Sequence, residues 1–325
     1  MRLPSLPDSN LTFKENLIGI FGPSSVMGRI FDIQRFCIHD GPGIRTTVFL
    51  KGCPLSCPWC HNPEGRSMEP SLSFLPTRCI GCKACAEVCS MAVHRWEEKK
   101  HLLDRERCVI CGCCAEACYA KALEMVGKDM TALDVLQEVL KDLAFYKASG
   151  GGMTLSGGEP TQQSDFGEEL LQRAKGEGLH TCVETCGVTS RLVLERWLPW
   201  VDLFLYDYKE TDSDRHRQTT GASRALVLEH LKFLDQNGKP LWLRCPILPG
   251  INDREDHLEG IVQVAQSFPS IQVVELMPYN PLGESKVERF GLCPQHRMKK
   301  ARPNEKLVDQ WKQNLEHRGV RIRPQ

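Results

Sequence analysis

The stretch KGCPLSCPWCHNP (residues 51–63) sets Cys53, Cys57 and Cys60 in a C-x3-C-x2-C spacing. Thiolates are soft ligands, and three this close point to a metal site. Structural zinc and a cubane iron–sulfur cluster both usually take four protein ligands. No fourth Cys stands at ligand spacing after Cys60, and the nearest earlier one, Cys37, is far upstream. A cubane held here keeps one iron open to a ligand that is not protein. The stretch follows a short apolar run, residues 47–50, so the motif sits where a strand is expected to end.

Five more apolar runs follow: 153–155, 181–184, 203–207, 241–245 and 273–277. Each precedes an amphipathic helical stretch: 162–177, 189–198, 224–236, 253–268 and 304–317. A helix over 131–146, with Thr131 as N-cap, puts Leu133, Leu136, Leu140 and Leu143 on one stripe. Strands alternating with helices imply a parallel sheet, because parallel strands need crossovers. Six such units predict an α/β fold, a partial (β/α)6 TIM-like barrel. Chemistry in such barrels gathers at the C-terminal strand ends. Polar residues stand there after every run: the cysteine motif, Ser156-Gly157-Gly158-Glu159, Glu184-Thr185, Asp207-Tyr208-Lys209, Arg244 and Pro278-Tyr279-Asn280. Read alone, Gly157-Gly158 is also an ordinary strand-to-helix turn, and Asp207 with Lys209 also a solvated pair.

Twelve of the 17 cysteines lie between Cys53 and Cys118. Cys79, Cys82, Cys85 and Cys89 follow C-x2-C-x2-C-x3-C, and Cys108, Cys111, Cys114 and Cys118 repeat it. This is the bacterial ferredoxin run, duplicated. Zinc ribbons pair two C-x2-C units, which this is not. Ser90 and Tyr119 stand where the run usually has proline, and Cys113 is an extra thiol, read as free and buried with a rival ligand as the alternative. The resemblance to two-cluster ferredoxins implies crossed ligation: Cys79, Cys82, Cys85 and Cys118 for one [4Fe–4S] cluster, and Cys108, Cys111, Cys114 and Cys89 for the other. The organisation expected is an extension (1–27) that need not be ordered, barrel portions 28–76 and 127–325, and a ferredoxin-like insert over 77–126. Met27 is a candidate start, which would make residues 1–26 an over-called extension.

The 325 residues are ordinary for a globular chain, at 41% hydrophobic and 25% charged. Lys+Arg and Asp+Glu are both 41, a balance that suggests neither nucleic acid nor a membrane surface as partner. No apolar run reaches membrane-spanning length, and residues 1–30 do not read as a signal peptide. Clustered cysteines without an export signal favour metal chemistry in a reducing cytoplasm over disulfides. Cys37, Cys182, Cys186, Cys245 and Cys293 lie outside ligand spacing and read as core or rim thiols. His39 and His61 read as structural.

With Trp59 in the aromatic position, the cysteine stretch resembles the C-x3-C-x-aromatic-C motif of the radical S-adenosylmethionine enzymes. DGPGIRTTVFLKGCPLSCPWCHNPE (40–64), SGGEP (156–160), VETCG (183–187), YDYK (206–209), WLRCPILPG (242–250) and ELMPYNPLG (275–283) narrow this. Together they closely resemble the glycyl-radical-enzyme activating enzymes, over roughly residues 28–323. The double ferredoxin run resembles the larger of these activases.

The resemblance implies three [4Fe–4S] clusters, one of them on Cys53, Cys57 and Cys60 and open to S-adenosylmethionine. It implies an anaerobic oxidoreductase whose 5′-deoxyadenosyl radical abstracts hydrogen from a glycine of a partner glycyl radical enzyme. Reduced flavodoxin or ferredoxin would supply the electron. By the same resemblance Gly157 and Gly158 offer carbonyls to the methionine amino group and Glu159 shapes the turn. Lys209 and Arg244 neutralise the methionine carboxylate and contact the ribose. Trp59 lies beside the cofactor, and Asn280 stands where some members have a cofactor-touching His. Glu184, Thr185 and Asp207 match a monovalent-cation site of some members. Asp40, Gly41, Pro42, Gly43 and Arg45 would dock the partner peptide. Two other readings stand beside this one. The first is a radical maturase of a peptide or small molecule. The second is an electron-transfer protein without catalysis.

Overall fold

The computed structural model describes residues 26–292 and 302–323; nearly all of the expected extension, and Cys293, lie outside the described residues. The chain opens with an antiparallel pair, β1 (Met27–Cys37) and β2 (Arg45–Leu50). A cysteine-rich segment follows, with β3 (Ser71–Phe74), α1 (Ala84–Glu87), β4 (His94–Glu97), β5 (Lys100–Leu103), α2 (Cys113–Glu116) and β6 (Leu123–Val126). The chain then returns through β7 (Lys128–Thr131), α3 (Ala132–Leu140) and α4 (Leu143–Ser149). Strands and helices alternate from there: β8 (Gly152–Gly157), α5 (Ser164–Gly176), β9 (His180–Thr185), α6 (Arg191–Trp197) and β10 (Leu203–Asp207). The rest is α7 (Ser213–Thr220), α8 (Arg224–Gln236), β11 (Leu241–Ile247), α9 (Glu255–Ser267), β12 (Ile271–Pro278), α10 (Leu282–Arg289) and α11 (Glu305–His317).

The main sheet runs β12-β11-β10-β9-β8-β2-β1-β7. The six strands expected from the apolar runs are there, and they pair with one another only in parallel. Every residue of β2 is buried, as a central strand covered on both faces requires. The sheet side of the core includes Val48, Leu155, Val183, Phe204 and Leu243, packed with Leu136, Leu170, Leu194, Leu231 and Ile261 from the helices. Among the described residues no helix is long and apolar enough to cross a membrane.

Three features depart from the sequence expectation. First, the sheet has eight strands, because β1 pairs antiparallel with both β2 and β7. Much of β1 is exposed, so it carries no apolar run. Second, the helix expected over 131–146 breaks into α3 and α4. Thr131 does cap it, accepting from Asp134 N at 3.1 Å. The break falls at Asp142, whose buried carboxylate accepts from Thr46 Oγ1 (3.0 Å) and Arg35 Nε (2.7 Å). That tertiary pairing overrides the helical period. Third, the cysteine-rich segment closes by pairing β3 with β6, Ser71 opposite Val126, so it begins before residue 77. It has its own small core of Leu72, Phe74, Cys85, Cys114, Ala115, Ala122 and Leu123.

Candidate active site

The C-terminal ends of the parallel strands meet the cysteine loop at one open cleft. Cys53, Cys57, Trp59, Cys60, Ser156, Gly157, Gly158, Glu184, Asp207 and Lys209 all line it. Burial pushes the Cys53 thiol up to about 12 and Cys57 up to about 11. Each therefore keeps its proton until a metal displaces it, which is how thiol sites couple to metal binding. Three soft donors in one cleft fit iron. A fourth thiol, Cys186, also lines the cleft, but it comes from the end of β9 and shares a hydrogen bond with Glu159.

The two glycines have a structural reason to be there. Gly157 has φ +119, and a Cβ on it would meet Leu50 O at 2.3 Å. A Cβ on Gly158 would meet Gly52 O at 2.3 Å. Only bare backbone lets the strand-end turn lie against the cysteine loop. Gly158 N donates to Leu50 O (2.8 Å) and Glu159 N to Gly52 O (2.7 Å). The turn and the loop are therefore one unit. Glu159 is fully buried and accepts from Thr161 Oγ1 (2.8 Å), Thr185 Oγ1 (2.9 Å) and Cys186 N (2.7 Å). It braces the turn and ties β8 to β9.

A chain of buried charges crosses the strand ends. Lys209 Nζ lies 2.7 Å from Asp207. Arg244 lies 2.7 Å from Glu184, 3.2 Å from Glu275 and 3.9 Å from Asp40. Burial lifts the Glu184 carboxyl to about 7, against the pull of Arg244. For Lys209, burial favours the neutral amine, but the Asp207 charge overrides it and holds the ammonium.

The other strand-end residues are placed as follows. Arg244 lies within β11 rather than past its end, and carboxylates surround its guanidinium. Thr185 is not on the cleft wall; its hydroxyl belongs to Glu159. Asn280 does not line the cleft; its side chain accepts from Leu282 N at 3.2 Å just before α10, while its neighbour Tyr279 lines the cleft. Of the three residues matched to a cation site, Glu184 and Asp207 line the cleft, paired with Arg244 and Lys209, and Thr185 does not line it.

The loop 40–43 is held from inside. Asp40 accepts from Thr47 Oγ1 (2.8 Å), and its carbonyl from Thr154 Oγ1 (2.7 Å). Arg45 has no exposed surface. It donates to Thr154 Oγ1 and to the carbonyls of Pro42, Met153 and His180 at 2.5–3.1 Å. Arg45 thus holds the loop and is not free to reach a peptide, contrary to the sequence reading.

In the cysteine-rich segment, one cavity is lined by Cys79, Cys82, Cys85 and Cys118, and a second by Cys89, Cys108, Cys111 and Cys114. Each cavity draws three thiols from one run and one from the other, the donor set of a closed cubane. Cys113 also lines the second cavity but is exposed, which corrects the expectation of a buried thiol.

A family model described as the radical SAM superfamily matches residues 105–261. The chain is 40% identical over 268 residues to the choline trimethylamine-lyase activating enzyme of Oleidesulfovibrio alaskensis, covering 81% of this chain and 86% of that one. It is 41% identical over 263 residues to the trans-4-hydroxy-L-proline dehydratase activating enzyme of Clostridioides difficile, covering 80% and 87%. The chain belongs to the glycyl-radical-enzyme activating enzymes. The activase also superposes on a radical SAM methyltransferase from Sphaerobacter thermophilus with a TM-score of 0.50 at 14% identity, covering 97% of this chain and 82% of that one. That likeness concerns fold alone. The family implies a [4Fe–4S] cluster and S-adenosylmethionine, and the relatives do not favour the maturase reading.

Several residues of the activase site carried no signal in the sequence. Lys51 is buried, and its Nζ donates to Glu64 O (2.6 Å) and Ser71 Oγ (3.1 Å), tying the cysteine loop to β3. Burial pulls it down to about 8. Asn62 Nδ2 donates to Gly157 O at 3.4 Å. Arg323, near the C-terminus, reaches the carbonyls of His39 and Ile38 (3.0 and 3.1 Å) and Glu275 (2.8 Å). Lys51 and Asn62 lie in the cysteine motif and Arg323 does not, and no local spacing announces the contacts of any of the three.

Proposed function

We propose that this activase binds S-adenosylmethionine in the cleft of the three-cysteine loop and acts on a backbone glycine of a partner glycyl radical enzyme. When bound, a [4Fe–4S] cluster on Cys53, Cys57 and Cys60 supplies one electron to the sulfonium, which parts into methionine and a 5′-deoxyadenosyl radical that takes the glycine hydrogen. The observation that carries the reading is the meeting of the three thiols and the Ser156-Gly157-Gly158 turn at one cleft. In this reading Gly157 and Gly158 take the methionine amino group, and Lys209 faces its carboxylate. Trp59, Leu248 and Tyr279 on the cleft wall exclude water. Arg244 acts through Glu184, which it fixes at 2.7 Å.

The six parallel strands support a partial (β/α)6 barrel, and the crossed thiol sets support a ferredoxin-like insert with two auxiliary [4Fe–4S] clusters. A cytoplasmic reduced flavodoxin or ferredoxin would deliver the electron. The loop of Asp40, Gly41, Pro42 and Gly43, braced by Arg45 and Arg323, would receive the partner peptide. The relatives' names divide between a lyase and a dehydratase at nearly equal identity, so the neighbouring gene identifies the partner to assay. The test is anaerobic: iron-loaded, reduced protein given S-adenosylmethionine yields 5′-deoxyadenosine, and with the partner a glycyl radical signal. Fully iron-loaded protein that forms no 5′-deoxyadenosine overturns the reading.

A further inference from the structure

The two thiol cavities of the cysteine-rich segment are alike in ligands and unlike in surroundings. Leu72, Met91, Val93, Val109 and Ile110 help line the second cavity, and no side chain lining it carries a nitrogen donor. The first contains His101. This imidazole is 6% exposed and lies on β5, directly across from Trp96 on β4. The Trp96 ring stacks on it with centroids 4.5 Å apart and planes 7° from parallel, and Phe74 meets it edge-on at 4.5 Å. Its Nδ1 lies 3.5 Å from Cys79 Sγ, and its Nε2 lies 3.0 Å from His94 Nδ1. Lys83, which lines the same cavity, sits 5.8 Å over Trp96.

The hydrogen-bond pattern selects one arrangement of protons. If His101 carried its proton on Nε2, His94 Nδ1 at 3.0 Å would be the nearest acceptor, ahead of Cys85 Sγ at 4.0 Å. The His94 proton would then sit on its Nε2, which is buried and has no partner. A buried unpaired N–H is costly, and the His101 Nδ1 lone pair would face a ligating sulfur. The reverse arrangement pairs both protons: His94 Nδ1–H donates to His101 Nε2, and His101 Nδ1–H points to Cys79 Sγ.

We infer that His101, oriented by His94 and Trp96, donates a hydrogen bond to Cys79 Sγ and makes the cluster of Cys79, Cys82, Cys85 and Cys118 the higher-potential member of the auxiliary pair. The inference rests on the proposed reading that these cysteines hold a cluster. A donor to a ligating sulfur favours the reduced, more negative cluster, so its potential rises. The cation of Lys83 acts in the same direction. The cluster on Cys108, Cys111, Cys114 and Cys89 has the cation of Arg105 near Cys108 but no imidazole donor in its cavity, so the His101 donor is the difference that lets the His101 cluster be reduced first. His101 is a positioning and tuning residue here, not a catalytic one.

The test is a potentiometric titration of the anaerobic, iron-loaded full chain, followed by electron paramagnetic resonance. Two auxiliary reduction steps are expected, and Cys118→Ala removes the one at higher potential. In His101→Phe, with iron content unchanged, that same step moves to lower potential. The expected size is about a tenfold drop in its reduction equilibrium, or about 59 mV for one electron. The other step stays where it was, and His101→Gln, which keeps an N–H donor, recovers part of the shift. Unmoved steps in fully loaded His101→Phe overturn the inference while leaving the clusters in place. A wild-type iron content too low for auxiliary clusters overturns the reading beneath it as well.

Discussion

The three-cysteine loop and the cysteine-rich segment use the same side chain for opposite ends. The loop rests on a large apolar core and a frame of hydrogen bonds, with Gly158 N on Leu50 O, Glu159 N on Gly52 O and the Lys51 ammonium on Glu64 O. Folding alone sets its geometry, so it can leave one position of a cluster open. The segment of residues 71–126 has few apolar residues in its core, and Cys85 and Cys114 are among them. It has little but its thiols to hold it together, so its ligand sets are expected to close. The difference teaches that an open coordination site needs a scaffold that does not depend on the metal.

The largest expected effect falls on the loop. Cys57→Ala loses one cluster's worth of iron and all 5′-deoxyadenosine formation, while the auxiliary iron, measured by chemical assay, stays. Loss of the auxiliary iron as well would break the comparison. Next comes iron removal. A chelator strips amide exchange protection from residues 71–126 and leaves β8 to β12 protected, because metal binding there is folding free energy. Hydrogen-exchange mass spectrometry reads this directly, and equal loss in both regions would contradict it.

The scaffold half has its own acid limit. His257 is fully buried, and burial pulls it down to about 4. The folded state then binds fewer protons than the unfolded one between that value and about 6.5. Stability is full above about pH 6.5 and falls as the pH drops toward 4, by on the order of 3 kcal/mol. Denaturant melts at pH 7 and pH 5 test this, and in His257→Gln the pH dependence flattens. Glu159→Gln is expected to cost about 1–3 kcal/mol, because its oxygens accept from Thr161, Thr185 and Cys186. It also raises the KM for S-adenosylmethionine more than it lowers kcat. Smallest is Cys186→Ala, which keeps its iron and its turnover. If iron falls, Cys186 is a fourth ligand and the loop is closed after all.

The six parallel strands and the two cysteine patterns were legible because each is local: an apolar run, or ligands a few residues apart. β1 and β7 were not, because strands with exposed faces carry no apolar run. The helix break at Asp142 was hidden because its cause is Arg35 and Thr46, far away in sequence. The same limit governed the site. Gly157, Gly158, Asp207 and Lys209 line the cleft. Thr185, Asn280 and Arg45 were assigned outward roles from their motifs, but their partners, Glu159, Leu282 N and the carbonyls around loop 40–43, turn them inward. Motif position tells which residues gather at a strand end, and only packing tells which way each one faces.

The central claim is that the three-cysteine cluster alone is open to S-adenosylmethionine. Electron paramagnetic resonance of the reduced, iron-loaded protein, with and without S-adenosylmethionine, tests it most directly. The account predicts that the cofactor changes one cluster signal, that Cys57→Ala abolishes this change, and that the auxiliary signals remain in both. A change that persists in Cys57→Ala, or that appears in the auxiliary signals instead, would contradict it.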